Sequence, residues 1–172
     1  MHDKVPKRRV SKWFLIVLSP VLIIAGLVFL VLLLPFYLMF RAAYWVVLRA
    51  WFELTLGFSG RRILLVYSSS PNWQEHIESY WLPRLEPHVI VVNWSERSTW
   101  GHWAPLPVRL FRFYAGEHDF NPMVVLFPRA RRARVLRLLR AFRDFKHGKP
   151  TRLDEAERQV FEFRETLGSR GA

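Results

Sequence analysis

Two short polar stretches hold the residue types that could do chemistry. The first, Ser68-Ser69-Ser70-Pro71-Asn72-Trp73, follows the apolar run Ile63 to Tyr67. Small hydroxyl residues leading into a helix start suit a phosphate or carboxylate, which would meet free amides and the positive end of the helix dipole. Ser68, Ser69, Ser70 and Asn72 are the expected ligand contacts. The second stretch, Asn93-Trp94-Ser95-Glu96-Arg97, follows the apolar run His88 to Val92. Asn93 and Ser95 offer hydrogen bonds, Arg97 an anion clamp and Glu96 a general base. His76, next to Glu75, is the other acid–base candidate. No nucleophile–base spacing names a reaction type, and a surface turn with an Arg–Glu pair is the plain alternative.

These stretches meet only if the two apolar runs are neighbouring parallel strands. The spacing predicts that arrangement. A helix from Asn72 to Trp81, with Ser70 as N-cap and Pro71 at its first position, is closed by Pro83 and Pro87 and joins the two runs as a βαβ unit. In a parallel α/β sheet the loops after the strand ends share one edge, where ligands bind. Further on, Val108 to Tyr114 alternates apolar and basic residues and reads as a strand near an edge. Met123 to Phe127 reads as a buried strand. Pro128 to His147 reads as a helix with Val135, Leu138, Leu139, Phe142 and Phe145 on its apolar stripe. Arg131, Arg134 and Arg137 fall on its solvent side, where they suit anionic lipid headgroups. Thr151-Arg152-Leu153-Asp154 has the form of a capping box for a last helix to Leu167, leaving a tail at 168–172.

The expected fold class is therefore α/β, a small domain over residues 61–167, Rossmann-like or thioredoxin-like. Val66 to Glu75 resembles the flavodoxin phosphate loop, a strand running into serines, then Asn and an acidic helix start. It departs at Pro71, where that family has Gly, and at Trp73, where it has Thr, so no flavin and no other cofactor is assigned. Strand, helix, strand, then an antiparallel pair at Val108 and Met123 and a helix, also resembles the thioredoxin sheet, with Pro107 at that fold's proline. The redox cysteines are absent, and Ser69 and Ser70 stand in the corresponding turn. The resemblance implies a binding or scaffolding module, because dithiol exchange needs thiols.

The rest of the chain addresses a membrane. Trp13 to Phe40 holds no charge. About 20 apolar helical residues cross a bilayer core, so residues 13–40 are the expected anchor. A cleaved signal peptide is the rival, disfavoured by the length of the run and the lack of a small-residue cleavage site. Ser19-Pro20 within it resembles the helix-break-helix of re-entrant anchors in monotopic phosphoglycosyl transferases, a likeness confined to this segment. A kinked single span is the alternative. Residues 41–60 are expected to form an interfacial amphipathic helix and hinge, since Arg41, Trp45, Arg49 and Glu53 share one helix face and Trp51 suits the headgroup zone.

Net charge is +12. Nine Lys and Arg against two acids precede Ile63, so the excess is densest beside the anchor. Anionic membrane lipids are the expected partner, with a protein partner in a membrane complex second and nucleic acid disfavoured by the anchor. Residues 1–12 form a basic arm, which the positive-inside rule places in the cytoplasm. A hairpin or two spans would keep the domain on that cytoplasmic face, the side favoured here, whereas one straight span would carry it across. With no cysteine and no metal-ligand spacing among the histidines, no metal is expected, although Glu117, His118 and Asp119 lie together. The expected function is binding or scaffolding at the membrane surface, with an anionic ligand at the Ser68–Asn72 and Asn93–Arg97 edge. One alternative is a membrane-associated enzyme acting on a phosphorylated or lipid-linked substrate through Glu96 or His76. Another is an accessory subunit of a membrane complex, with the Trp-rich loop after Ser98 as its interface.

Overall fold

The structure is a computed structural model that describes residues 12–101, 103–116, 121–129 and 131–169. The arm before Lys12, the Glu117–Asp119 group and the last three tail residues lie outside the described residues. The chain divides into two compact units at Val47 and Leu48.

The first unit is the greater part of helix α1 (Lys12–Phe52), 41 residues long. The helix runs through both Pro20 and Pro35 without interruption. Of the two alternatives at Ser19-Pro20 the helix-break-helix does not form, and in place of a separate interfacial helix from residue 41 the same helix continues to Phe52. Side chains such as Leu27, Phe29, Leu32 and Phe36 are exposed. This helix, near the N-terminus, is long and apolar enough to cross a membrane.

The second unit is a mixed α/β domain around a four-stranded sheet in the order β2-β1-β3-β4. The strands are β1 (Ile63–Tyr67), β2 (Val89–Asn93), β3 (Met123–Leu126) and β4 (Arg134–Arg137). β1 and β2 are parallel, with Tyr67 opposite Asn93. β3 runs antiparallel to both β1 and β4, so the sheet is mixed rather than all parallel. Strand alternation sends Leu64 and Val66 to one face and Ile63, Leu65 and Tyr67 to the other. Both faces are covered, which is why β1 and β3 are apolar without a break.

One face packs on α4 (Leu106–Ala115) and on Leu48 and Phe52 from the last turn of α1. The other packs on a helical segment over residues 74–85, α5 (Leu139–Lys146) and α6 (Thr151–Gly168). The segment over 74–85 is α2 (Gln74–His76), a π turn (Ile77–Trp81) and α3 (Leu82–Leu85). It begins after the serine turn and runs past Pro83, which fits an early position of α3 where its missing donor costs nothing.

Three sequence expectations are corrected. Val108 to Tyr114 is helical, because Leu106, Leu110 and Phe111 recur at helical spacing and bury together. Pro107 is thus in a helix start, and the proline that directly precedes β3 is Pro122. The helix expected over Pro128 to His147 is instead a loop, β4 and α5, since Arg134–Arg137 completes the ladder with β3. The capping box at Thr151 does not form: Pro150 holds the N-cap position and no side chain caps α6.

The last turn of α1, from Leu48, belongs to the domain. Phe52 is fully buried and its ring lies 4.2 Å from that of Phe127. Arg49 Nη2 donates to the Pro128 carbonyl at 2.6 Å and pairs with Glu53 at 2.6 Å. Arg49, expected at the lipid surface, is thus bonded within the domain.

Candidate functional site

Because β1 and β2 are neighbours, the loops that follow them do share an edge. The Ser69 amide donates to Ser95 Oγ at 2.9 Å and ties the two loops together. Ser70 organises the first loop. Its carbonyl accepts from the amides of Trp73 and Gln74, at 3.2 and 2.9 Å, and its hydroxyl accepts from the Asn72 amide at 3.4 Å. The Ser70 amide donates to the Ser68 carbonyl at 2.7 Å, which also takes the Trp73 indole N–H at 3.1 Å. The amides that would cradle a phosphate already have internal partners. Asn72 Oδ1 accepts from Lys146 Nζ at 2.8 Å, pinning the loop to α5.

The second loop is a 3-10 turn (Trp94–Thr99) capped by Asn93, whose Oδ1 accepts from the Ser95 amide at 3.0 Å. Asn93 Nδ2 donates to Glu96 Oε1 at 3.3 Å. The Arg97 guanidinium lies 3.7 Å above the Trp94 ring, held by the ring's negative face. Glu96 and Asn93 border a groove of about 480 Å³ whose other walls include Trp100, Trp103 and Pro107. Trp103 is 86% exposed.

Tyr67 closes the floor of this edge. Its hydroxyl donates to Glu78 Oε1 at 3.0 Å, and Gln74 Nε2 donates to the same oxygen at 3.1 Å. Burial pushes the phenol up to about 12, with further help from the Glu78 hydrogen bond and from the charges of Glu78 and Glu96. Both carboxylates therefore act on one buried hydroxyl. Lys146 at Asn72 and Arg97 over Trp94 stand at the same edge, so charges of both signs meet there.

His76 belongs elsewhere. Its Nε2 lies 2.8 Å from Glu157 Oε1 on α6, and its ring packs near Tyr80, Phe142 and Phe145. The same Glu157 oxygen takes the N–H of the buried Trp81 at 2.9 Å. His76 and Glu96 thus have separate partners and do not form one acid–base pair. No protein-family model, no curated protein and no solved structure matches this chain.

A second concave site lies on the opposite side of the strand order, where the β3–β4 connection meets the end of α6. A cavity of about 530 Å³ is lined by Arg129, Arg131, Arg132 and Arg134 with Phe163 and Leu167. Arg137 does not join them: on β4 it shares a face with Val135, which packs on the α4 side, while Leu136 shares the Arg134 face toward α6. Of the three arginines expected on one helix face, Arg131 lies in the loop before β4, and Arg134 and Arg137 fall on opposite faces of the strand. Of the residues expected at a membrane surface, Arg41 Nη1 donates to the Tyr37 hydroxyl at 3.2 Å, Trp45 is exposed, and Trp51 lies under the Arg109 guanidinium at 5.4 Å.

Sequence reasoning missed Tyr67 and Glu78 because an apolar strand ending in Tyr reads as core. It missed the four-arginine cavity because the second wall, Phe163 and Leu167, is distant in the chain. The density of arginine between Arg129 and Arg134 was the available signal.

Proposed function

We propose that this chain is a membrane-tethered binding module, a small thioredoxin-like domain held at the bilayer surface by α1. The observation that carries the reading is the uninterrupted apolar helix, whose last turn is packed into the domain core. The last turn of α1 is held within the domain by buried Phe52 and by Arg49, which donates to the Pro128 carbonyl, and the apolar run directly before it is the tether. The uninterrupted helix favours a single span, with the basic arm and the domain on opposite faces of the bilayer. Support for the thioredoxin-like arrangement comes from the strand order, from β3 alone running against the others, and from helices on both faces. The turn after β1 carries Ser68, Ser69 and Ser70 in place of thiols, which leaves binding rather than dithiol exchange.

The test uses the absence of native cysteine. A single cysteine at the exposed Ser169, and one at Ser98 in a second variant, are treated with a membrane-impermeant maleimide in intact and lysed cells. Labelling in intact cells is the expected result. Protection until lysis would return the domain to the cytoplasmic face. Release of the chain from membranes by alkaline carbonate would overturn the tether itself.

A second reading, an enzyme acting on a phosphorylated or lipid-linked substrate, is favoured by one observation: Glu96 borders the groove beside β2. In that case Glu96→Gln lowers kcat with the fold intact, whereas a binding module changes only in affinity.

A further inference from the structure

We infer that the arginine-lined cavity between the β3–β4 connection and α6 is a binding site for a phosphate-bearing ligand of at least two negative charges. Arg129, Arg131, Arg132 and Arg134 face one cavity of about 530 Å³, and no Asp or Glu among the described residues lines it. The last turn of α6 contributes carbonyl oxygens worth about half a negative charge, far less than four guanidiniums supply. Four guanidiniums lining one cavity concentrate positive potential there, and their forked donors match phosphate oxygens two at a time.

The site is also built rather than merely charged. The root of the connection is anchored at both of its first residues: Arg62 Nη1 donates to the Phe127 carbonyl at 3.1 Å, and Arg49 Nη2 to the Pro128 carbonyl at 2.6 Å. Arg134 is fixed at the start of β4, opposite Leu126, with its guanidinium 5.9 Å from the Phe163 ring. Phe163 and Leu167 give the cavity an apolar wall, so a phosphate on an organic body fits better than a bare ion. The volume falls within the range of ordinary small-molecule sites, roughly 300–1,000 Å³. The serine edge lacks these features, since its loop amides are internally bonded.

A phosphomonoester or diphosphate group can come from a membrane lipid headgroup or from a soluble metabolite. The inference rests on the tether only for the lipid source, and the soluble source stands without a membrane. Calorimetry on the full chain in an uncharged maltoside detergent separates them, with dihexanoyl phosphatidic acid and inorganic pyrophosphate as probes. Submillimolar binding of at least one probe is expected. Tighter binding of the phosphatidic acid assigns a lipid headgroup, and tighter or equal binding of pyrophosphate assigns a soluble phosphate. R131A/R132A should weaken binding at least tenfold. R140A/R143A, the same charge change on exposed positions of α5, should weaken it less than threefold. Equal losses in the two double variants, or no binding of either probe to the unsubstituted chain, would overturn the site. Neither outcome depends on carbonate extraction, so failure of the site and failure of the tether are read separately.

Discussion

Arg62 and Glu53 meet through both ends of the guanidinium: Nη2 lies 2.5 Å from Oε2 and Nη1 lies 3.3 Å from Oε1. Arg62 is 4% exposed. Glu53 also pairs with Arg49, so one carboxylate holds two arginines that themselves bond the carbonyls of Phe127 and Pro128. The end of the long apolar helix, the start of β1 and the end of β3 are joined at this point.

Removing Glu53 leaves Arg62 charged, buried and without its counter-ion. Glu53→Ala should destabilise the domain by about 3 kcal/mol, the low end for a broken buried pair, because Glu53 is itself partly solvated. Denaturant unfolding of the detergent-solubilised chain measures it. A loss below about 1 kcal/mol would show that water replaces the carboxylate.

Gly57 faces the same carboxylate. A Cβ there would stand 2.7 Å from Glu53 Oε2 and 3.1 Å from Arg62 Nη2. Glu53 cannot swing aside without leaving two arginines. Gly57→Ala should therefore cost on the order of 1–2 kcal/mol, in line with overpacking of a filled site. In the Glu53→Ala background the cost should nearly vanish, giving a coupling energy that a double-variant cycle reads directly. Additive effects would mean that the strain lies elsewhere.

Tyr67 sets an alkaline limit on stability. Its phenol ionises near the ordinary value of 10 in the unfolded chain and at about 12 in the folded domain. The native state prefers the neutral phenol, so this contribution is complete below pH 10 and is lost as pH rises toward 12. Tyr67→Phe should flatten the fall in stability over that window. The difference in absorbance near 295 nm between the two proteins during alkaline titration should show a phenol that ionises well above the ordinary value of 10. Loss of a phenol that titrates near 10 would contradict the buried Tyr67–Glu78 bond.

Glu157 supplies one oxygen to both His76 and the indole of Trp81. Trp81 is fully buried, so its N–H has no access to water if that oxygen is removed. Glu157→Ala should cost about 1–3 kcal/mol for the orphaned donor. Glu157→Gln keeps an acceptor and should recover most of it. Equal losses in the two variants would assign the role to charge rather than to hydrogen bonding.

Much of this architecture is determined by the sequence alone, wherever the signal is local. The uncharged run after Trp13 announces a membrane-length helix, and β1, β2 and β3 are short apolar runs bounded by turn residues. The adjacency of the Ser68 and Asn93 loops follows from reading 63–93 as one βαβ unit, and the Ser69–Ser95 bond shows it. Tertiary structure decided the rest. Val108 to Tyr114 is too short for alternation to be told from helical spacing, and burial of Leu106, Leu110 and Phe111 on one side made it a helix. Arg134–Arg137 has helical company in sequence, but the free edge of β3 offered hydrogen bonds that turned it into a strand. That pairing moved Arg137 to the other face and left Arg134 with Arg129, Arg131 and Arg132 around a cavity closed by Phe163. Strand pairing is non-local: its partner lies outside any window in which periodicity can be counted, and only the folded chain brings the two together.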